Sequence, residues 1–480
     1  MSGRRAQAPQ RLATAVLALL VTLGLGGCVD LVPRYERPAA PVAAAYPAEL
    51  QPAAGSDAVP AAAATIEWQR FFADPRLKRL IELALQDNRD LRIAVLDIEQ
   101  ARAAYQVRRA DELPTVGLGA SATRASSGTA AGLVNVYAAG LQMTSFELDF
   151  FGRVRSLGQA ALAQYLATEE GRKTAQIALI GGVATTYISL LADDELLRVT
   201  RDTLQTREES FRLTRLRFDN GASSEVDLRQ AEQLLETAKA TLAQTQRQRS
   251  LDENALVLLL GQPLPPDLPA PLPLAQQQAV PDLPAGLPAD LLIRRPDVRA
   301  AEQQLVSANA NIGAARAAFF PRISLTGSAG SASLQLSGLF KAGTWALTGG
   351  ANALQPIFDA GRNEANLDLA KVGKDIAVAQ YEKAIQTAFR EVADALAGRA
   401  TLGEQLRAQA AVSNAAQVTY RLADLRYRNG AASYFDVLDA QRTLFAAQQA
   451  TVQTQALQVQ NLVILYKVLG GGWSEPAANP

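Results

Sequence analysis

Residues 217–261 read RFDNGASSEVDLRQAEQLLETAKATLAQTQRQRSLDENALVLLLG, and residues 426–470 read RYRNGAASYFDVLDAQRTLFAAQQATVQTQALQVQNLVILYKVLG. The two stretches align without a gap, 209 residues apart. In each, Asn-Gly interrupts a helical pattern and a serine follows as N-cap, Ser224 in one and Ser433 in the other. Asp227 or Asp436 then completes S-x-x-D, a capping box that satisfies the orphan amides of a new helix. Each stretch therefore predicts a helix–turn–helix tip, at residues 219–224 and 428–433.

The repeat continues outward from the tips. Gly152-Arg153 aligns with Gly361-Arg362, while Asp90-Leu91, Ala101 and Pro114 match Asp297-Val298, Ala308 and Pro321 at a spacing two residues shorter. One supersecondary plan is used twice, in residues 75–261 and again in 289–472, with a proline-rich linker at 262–288 and a short tail at 473–480.

With 480 residues, 48% of them apolar, the chain has material for a large core. Its 47 basic and 47 acidic residues balance, which gives no reason to expect nucleic acid as a partner. The sequence contains no histidine, so the commonest general base and metal ligand is missing, and most catalytic triads and zinc sites go with it. No nucleophile constellation stands out either. The reading is of a non-enzyme without a metal or cofactor.

Cys28 is the only cysteine, which rules out an intrachain disulfide. Residues 1–27 carry a basic start (Arg4, Arg5, Arg11) and an apolar run from Leu12 to Leu25, the order of a secretory signal. Leu25-Gly26-Gly27-Cys28 resembles a bacterial lipobox, in which Cys28 is acylated and becomes the mature N-terminus. Val29, rather than aspartate, after the cysteine resembles lipoproteins sent to the outer membrane. Such acyl chains anchor a protein to a bilayer without spanning it. The Pro/Ala-rich stretch at 28–74 then reads as an extended tether rather than a domain.

A helical pattern runs from about Pro75 to Glu112 and stops before Pro114, because the residue preceding proline is pushed out of the α region. The period then changes to two: Val116, Leu118, Ala120 and Ala122 alternate with Gly117, Gly119, Ser121 and Thr123. Strands are expected at 114–124 and 133–149, and in the second repeat at 321–334 and 343–358. Their lengths suit tilted transmembrane strands, which need about nine to eleven residues. Each pair leads into a very long helical pattern, about Val154–Phe218 and Asn363–Tyr427, each about 100 Å long at 1.5 Å per residue. Val183, Leu190, Leu197, Leu204, Phe211 and Phe218 fall every seventh residue, as do Leu438, Phe445, Val452, Val459 and Tyr466. That is coiled-coil spacing. The return helices are about half as long and end at Gly261 and Gly470.

Four strands cannot close a barrel in lipid, where the smallest barrels have about eight. Open sheet edges are not tolerated there, so membrane-spanning strands imply a barrel shared between chains. The expected fold is mainly α with transmembrane β, in two tandem repeats.

The lipobox, the twofold repeat, the tip motifs, Leu148-Asp149-Phe150-Phe151-Gly152-Arg153 and Pro356-Ile357-Phe358-Asp359-Ala360-Gly361-Arg362 together resemble the outer-membrane factor family, the TolC- and OprM-like channels of tripartite efflux pumps. The resemblance spans residues 65–472. It implies a homotrimer with a shared barrel of about twelve strands, an α-barrel of coiled-coil helices, and the outer membrane of a Gram-negative bacterium as location. A periplasmic adaptor and an inner-membrane transporter, often of the resistance-nodulation-division type, would be the partners. The function implied is an exit duct for small toxic compounds. Two alternatives stay open: a duct for protein or peptide export, and a lipid-anchored coiled-coil scaffold with no pore.

The same resemblance suggests a periplasmic gate. Asp439 and Asp436 match carboxylates that ring the closed end; Asp436 has a capping twin in Asp227, whereas the partner of Asp439 is Gln230. Tyr427 and Arg426 match residues that tie the tip helices shut, Phe435 an apolar constriction, and Arg442 a base placed to pair with an acid. Ala432 departs from members that carry arginine there. Asn220, Gly221, Ser224, Asn429, Gly430 and Ser433 resemble the tip residues that meet the adaptor, although glycine at a turn is also ordinary turn chemistry.

Overall fold

A computed structural model of the chain describes residues 30–47, 66–126, 133–277 and 294–473. Cys28 and the signal sequence at 1–27 lie outside the described residues, as do parts of the tether, the linker and the C-terminal tail. The described elements run α1 (Trp68–Phe71), α2 (Pro75–Asp87), α3 (Arg89–Ala110), β1 (Gly117–Ser126), β2 (Leu133–Leu148), α4 (Arg153–Asp219) and α5 (Glu225–Leu260). The second half follows with α6 (Pro296–Ala317), β3 (Arg322–Ser333), β4 (Trp345–Leu354), α7 (Arg362–Arg428) and α8 (Tyr434–Val468). The two long helices, α4 and α7, have 67 residues each, and their return partners 36 and 35.

The helical pattern read as continuous from Pro75 to Glu112 is two helices. Asn88 breaks it: as C-cap of α2 it is extended (φ −62°, ψ 131°), its side chain accepts from Leu91 N at 2.8 Å and donates to Leu259 O at 2.9 Å. An amide with a second-helix carbonyl to satisfy overrides local helix propensity. In the second repeat the described helix α6 starts at Pro296, with proline at its first position as the missing N–H allows. Strand β1 starts three residues later than the expected 114, and β4 ends at Leu354, four short of 358. Pro356 has no N–H to offer a ladder beyond that point.

Two compact units emerge, and each draws on both repeats. The first takes in the described parts of Met1–Ala39, Ile98–Ala167 and Ala301–Tyr381; the second those of Ala40–Asp97, Thr168–Ala300 and Glu382–Pro480. In the first unit the four strands form one antiparallel sheet in the order β1-β2-β3-β4. Its register sorts the side chains. Leu118 pairs with Leu141, Leu141 with Ala329 and Ala329 with Leu347, so an apolar row crosses one face. Gly117, Gln142, Ser328 and Thr348 form a small, polar row on the other, where the Ser328 and Thr348 hydroxyls are 2.6 Å apart. The apolar row is exposed, with Leu118 at 84% and Leu347 at 78%. The tether's described start lies along α6: Asn309 Nδ2 donates to Pro33 O at 2.7 Å, and Glu302 accepts from Arg37 Nε at 2.7 Å and Tyr35 Oη at 3.0 Å. Gly313 makes room for it, since a Cβ there would stand 3.0 Å from Val32 Cα.

The second unit holds the main core. Phe71 stacks on Tyr466 at 3.9 Å, and Leu80, Ile81, Val183, Tyr187, Ile188, Leu256 and Leu260 are all buried. Asp74 is its polar hub. It caps α2 through Arg76 N at 2.7 Å, accepts from Tyr187 Oη at 2.9 Å, and takes Leu272 N at 3.1 Å together with the Gln277 amide from the proline-rich stretch. The heptad residues Leu438, Phe445, Val452, Val459 and Tyr466 of α8 are all buried. In α4 Val183, Leu190 and Leu197 are buried, but Leu204, Phe211 and Phe218 are only half-buried; Thr200, Arg207 and Thr214 take the buried seam instead. Among the described residues α4 alone is long and apolar enough to cross a membrane, yet 56% of its most apolar window is buried inside the chain, as in a core helix.

Candidate functional site: the paired tips

Both long helices end in the same closure. Ala222 N donates to Arg217 O at 2.7 Å and Gly221 N to Phe218 O at 2.9 Å; Ala431 N and Gly430 N repeat this on Arg426 O and Tyr427 O at 2.8 and 3.0 Å. This pair of bonds is the Schellman motif, which needs a left-handed residue, and Gly221 and Gly430 both have φ +70°. The return helices then start at capping boxes. Asp227 N donates to Ser224 Oγ at 3.1 Å while Ser224 N donates to Asp227 Oδ2 at 3.2 Å. The Ser433/Asp436 pair does the same at 3.3 and 3.0 Å. Asn220 and Asn429 each donate their amide to a carbonyl one turn back, Leu216 O at 2.7 Å and Leu425 O at 2.8 Å. All six tip residues singled out in the sequence thus take part in closing the turns, and Asp436 is held by its cap.

The repeats diverge in what they present around this shared frame. Asp439 forms an ion pair with Arg442 one turn on, with both side chains about half exposed or more. Arg426 Nη2 donates to Ala431 O at 3.3 Å within its own loop. Its repeat equivalent Arg217 behaves differently: its Nη1 donates to the Tyr427 phenol, and its guanidinium lies 5.0 Å from the centre of that ring. Tyr427 also packs 5.1 Å from Tyr434. Tyr434 Oη in turn donates to Ser210 O at 3.4 Å, and Gln441 Nε2 to Ser210 Oγ at 3.2 Å. Burial pushes the Tyr434 phenol above the ordinary tyrosine value. Phe435 is 54% exposed, so it presents an apolar ring outward rather than to the core of its own chain.

Arg217 and Tyr434 are absent from the residues read as functional from the sequence. The repeat held the signal for Arg217, as the retained twin of Arg426; Tyr434 replaces Glu225 and had no such marker. Among the described residues no group of three or more Cys, Asp or Glu is placed to hold a metal ion.

Known proteins resemble the chain along most of its length. The family model described as "Outer membrane efflux protein" matches residues 80–262 and again 287–471, once in each repeat. The solvent efflux pump outer membrane protein SrpC of Pseudomonas putida is 49% identical over 464 residues, covering 95% of this chain and 98% of that protein. Outer membrane protein OprJ of Pseudomonas aeruginosa is 44% identical over 469 residues, 96% of this chain and 97% of its own length. Among solved structures, the open state of the Neisseria gonorrhoeae MtrE outer membrane channel superposes with a TM-score of 0.83 at 41% identity, covering 92% of this chain and 98% of that one.

Proposed function

This chain belongs to the outer membrane efflux protein family and is an exit channel in the outer membrane of a Gram-negative cell, and we propose that three copies close one barrel, each adding its four strands to make twelve. The observation that carries this is the two-faced open sheet. In lipid every backbone amide needs a partner, and among the described residues β1 and β4 each leave one edge of the ladder unpaired. A neighbour's β4 against this chain's β1 supplies the missing bonds and turns the Leu118–Leu141–Ala329–Leu347 row toward lipid. The Gln142–Ser328–Thr348 row then faces the water-filled lumen.

At the tips, the Arg217–Tyr427 bond and the Asp439 carboxylate form the periplasmic gate. Three symmetry-related copies of Asp439 set close together repel anions and favour cations in a narrow constriction. Asn220, Gly221, Asn429 and Gly430 offer the surface for a periplasmic adaptor, which links the channel to an inner-membrane transporter of the resistance-nodulation-division type. Acylation of Cys28 anchors the tether. The cargo is small organic compounds, the class that the names of SrpC and the toluene efflux pump protein TtgI indicate for those relatives. The purified protein should run as a trimer before heating and as a monomer after it, and should conduct ions in planar bilayers. A monomer without conductance would overturn the reading.

A further inference from the structure

A cavity of about 180 Å³ lies between α4, α7 and α8, about three turns from the first tip, lined by Thr203, Arg207, Tyr420, Gln441, Phe445 and their neighbours. Two of its wall residues are buried and incompletely bonded. Arg207 is 3% exposed; Nη1 donates to Leu234 O at 2.9 Å and the guanidinium lies 5.1 Å from the centre of the Phe445 ring, but Nε has no partner. Among the described residues no carboxylate forms an ion pair with it, and burial alone acts on it, pulling its pKa down. Gln441 is 6% exposed; its amide nitrogen bonds Ser210 Oγ and Tyr420 Oη, but its oxygen has no donor. The one acid on the wall, Asp202, is mostly exposed and engaged with Arg198 at 3.0 Å.

A buried guanidinium needs a negative charge, and a buried amide oxygen needs a donor. Water satisfies the second and leaves the first. We propose that the cavity is a site for a small oxyanion that carries a hydroxyl, of the hydrogen phosphate type, whose charged oxygens face Arg207 while its O–H donates to Gln441 Oε1. Bound there, it ties α4 to α8 within one chain and stiffens the coil above the tips. The site stands independently of the trimer and of any gating role.

Inorganic phosphate and sulfate separate this site from general salt stabilisation, because both are excluded from protein surfaces and strengthen burial alike, while sulfate at neutral pH has no proton to give. Thermal unfolding of the purified full-length protein in detergent, at constant ionic strength, should show a saturable rise in Tm with phosphate that exceeds the rise with sulfate. Arg207→Gln should abolish the excess. If that variant does not fold, Gln441→Leu, which keeps the charge and removes the acceptor, should equalise the two anions. Equal responses of the wild type to phosphate and sulfate, or a phosphate excess that survives in a folded Arg207→Gln or Gln441→Leu protein, would overturn the proposal.

Discussion

Arg217 at the end of the first long helix donates to the phenol of Tyr427 at the end of the second and lies over its ring, so one side chain links the two tips of a single chain. Among the described residues, its repeat twin Arg426 bonds its own loop instead. The asymmetry comes from what each arginine precedes: Tyr427 stands where the first repeat has Phe218, and a phenol oxygen is an acceptor that a phenyl ring lacks.

If this link holds the tips together, Tyr427→Phe should raise single-channel conductance modestly, since the ring contact with Arg217 remains. Arg217→Ala should raise it further by removing both contacts, an exposed cation–π interaction contributing about 0.5–1 kcal/mol. Planar-bilayer recordings of the two variants and their combination measure the coupling. Conductance unchanged in all three would remove the pair from the gate.

Asp439 and Arg442 neutralise each other in the single chain. Asp439→Ala should raise conductance and sensitise cells to large antibiotics that the intact outer membrane excludes. Arg442→Ala should leave the carboxylate unpaired and increase cation selectivity, read as a shift in reversal potential under a salt gradient. Identical reversal potentials in wild type and Arg442→Ala would place Asp439 outside the conducting path.

The capping boxes make a paired structural prediction. Ser224→Ala and Ser433→Ala should each destabilise a tip by about 1 kcal/mol, and Asp436→Asn by less, because an amide oxygen still accepts from the N-cap amide. Hydrogen exchange at residues 219–228 and 428–437 should rise locally in the serine variants, leaving the Phe71–Tyr466 region protected. Protection lost equally throughout would argue against independent tips.

Asp193 gives a pH dependence away from the tips. Burial, then the hydrogen bond and charge of Asp252, then the charge of Asp194 push its carboxyl up to about 7, against the opposing pull of Arg249. The folded chain therefore holds a proton that the unfolded chain has released above about pH 4. Stability from this group is complete below that value and is lost as pH rises toward and through about 7. Thermal unfolding at pH 5 and pH 8 should show the difference, and Asp193→Asn should shrink it; a difference of full size in the variant would assign it to other groups.

Acylation of Cys28 should appear in the intact mass of the protein purified from its outer membrane, and Cys28→Ser should abolish it. A wild-type mass with no lipid would end that part of the reading.

The repeat, the capping boxes, the strand pairs and the α8 heptad were legible in the sequence because each rests on local chemistry: a serine and an aspartate three apart, a glycine able to take φ +70°, an alternation of period two. The long helices begin and end within a residue of their sequence bounds for the same reason. Reading failed where a distant group decided. Asn88 splits a helical pattern because Leu259 O, far along the chain, needs its amide. The seam of α4 passes from Leu204 and Phe211 to Arg207 and Thr214, since what is buried there is set by the neighbouring helices rather than by hydrophobicity.

By itself, then, the sequence determined which segments are helix, strand and tip, and that two copies of one plan stand in tandem, because backbone capping and side-chain periodicity act over a few residues. The tertiary structure decided which face of the sheet is greasy across all four strands, that Arg217 and not Arg426 meets Tyr427, and that Arg207 is buried with no ion-paired acid among the described residues. Those facts depend on pair register and helix packing between residues as far apart in sequence as Arg217 and Tyr427 or Arg207 and Phe445, which no local pattern encodes.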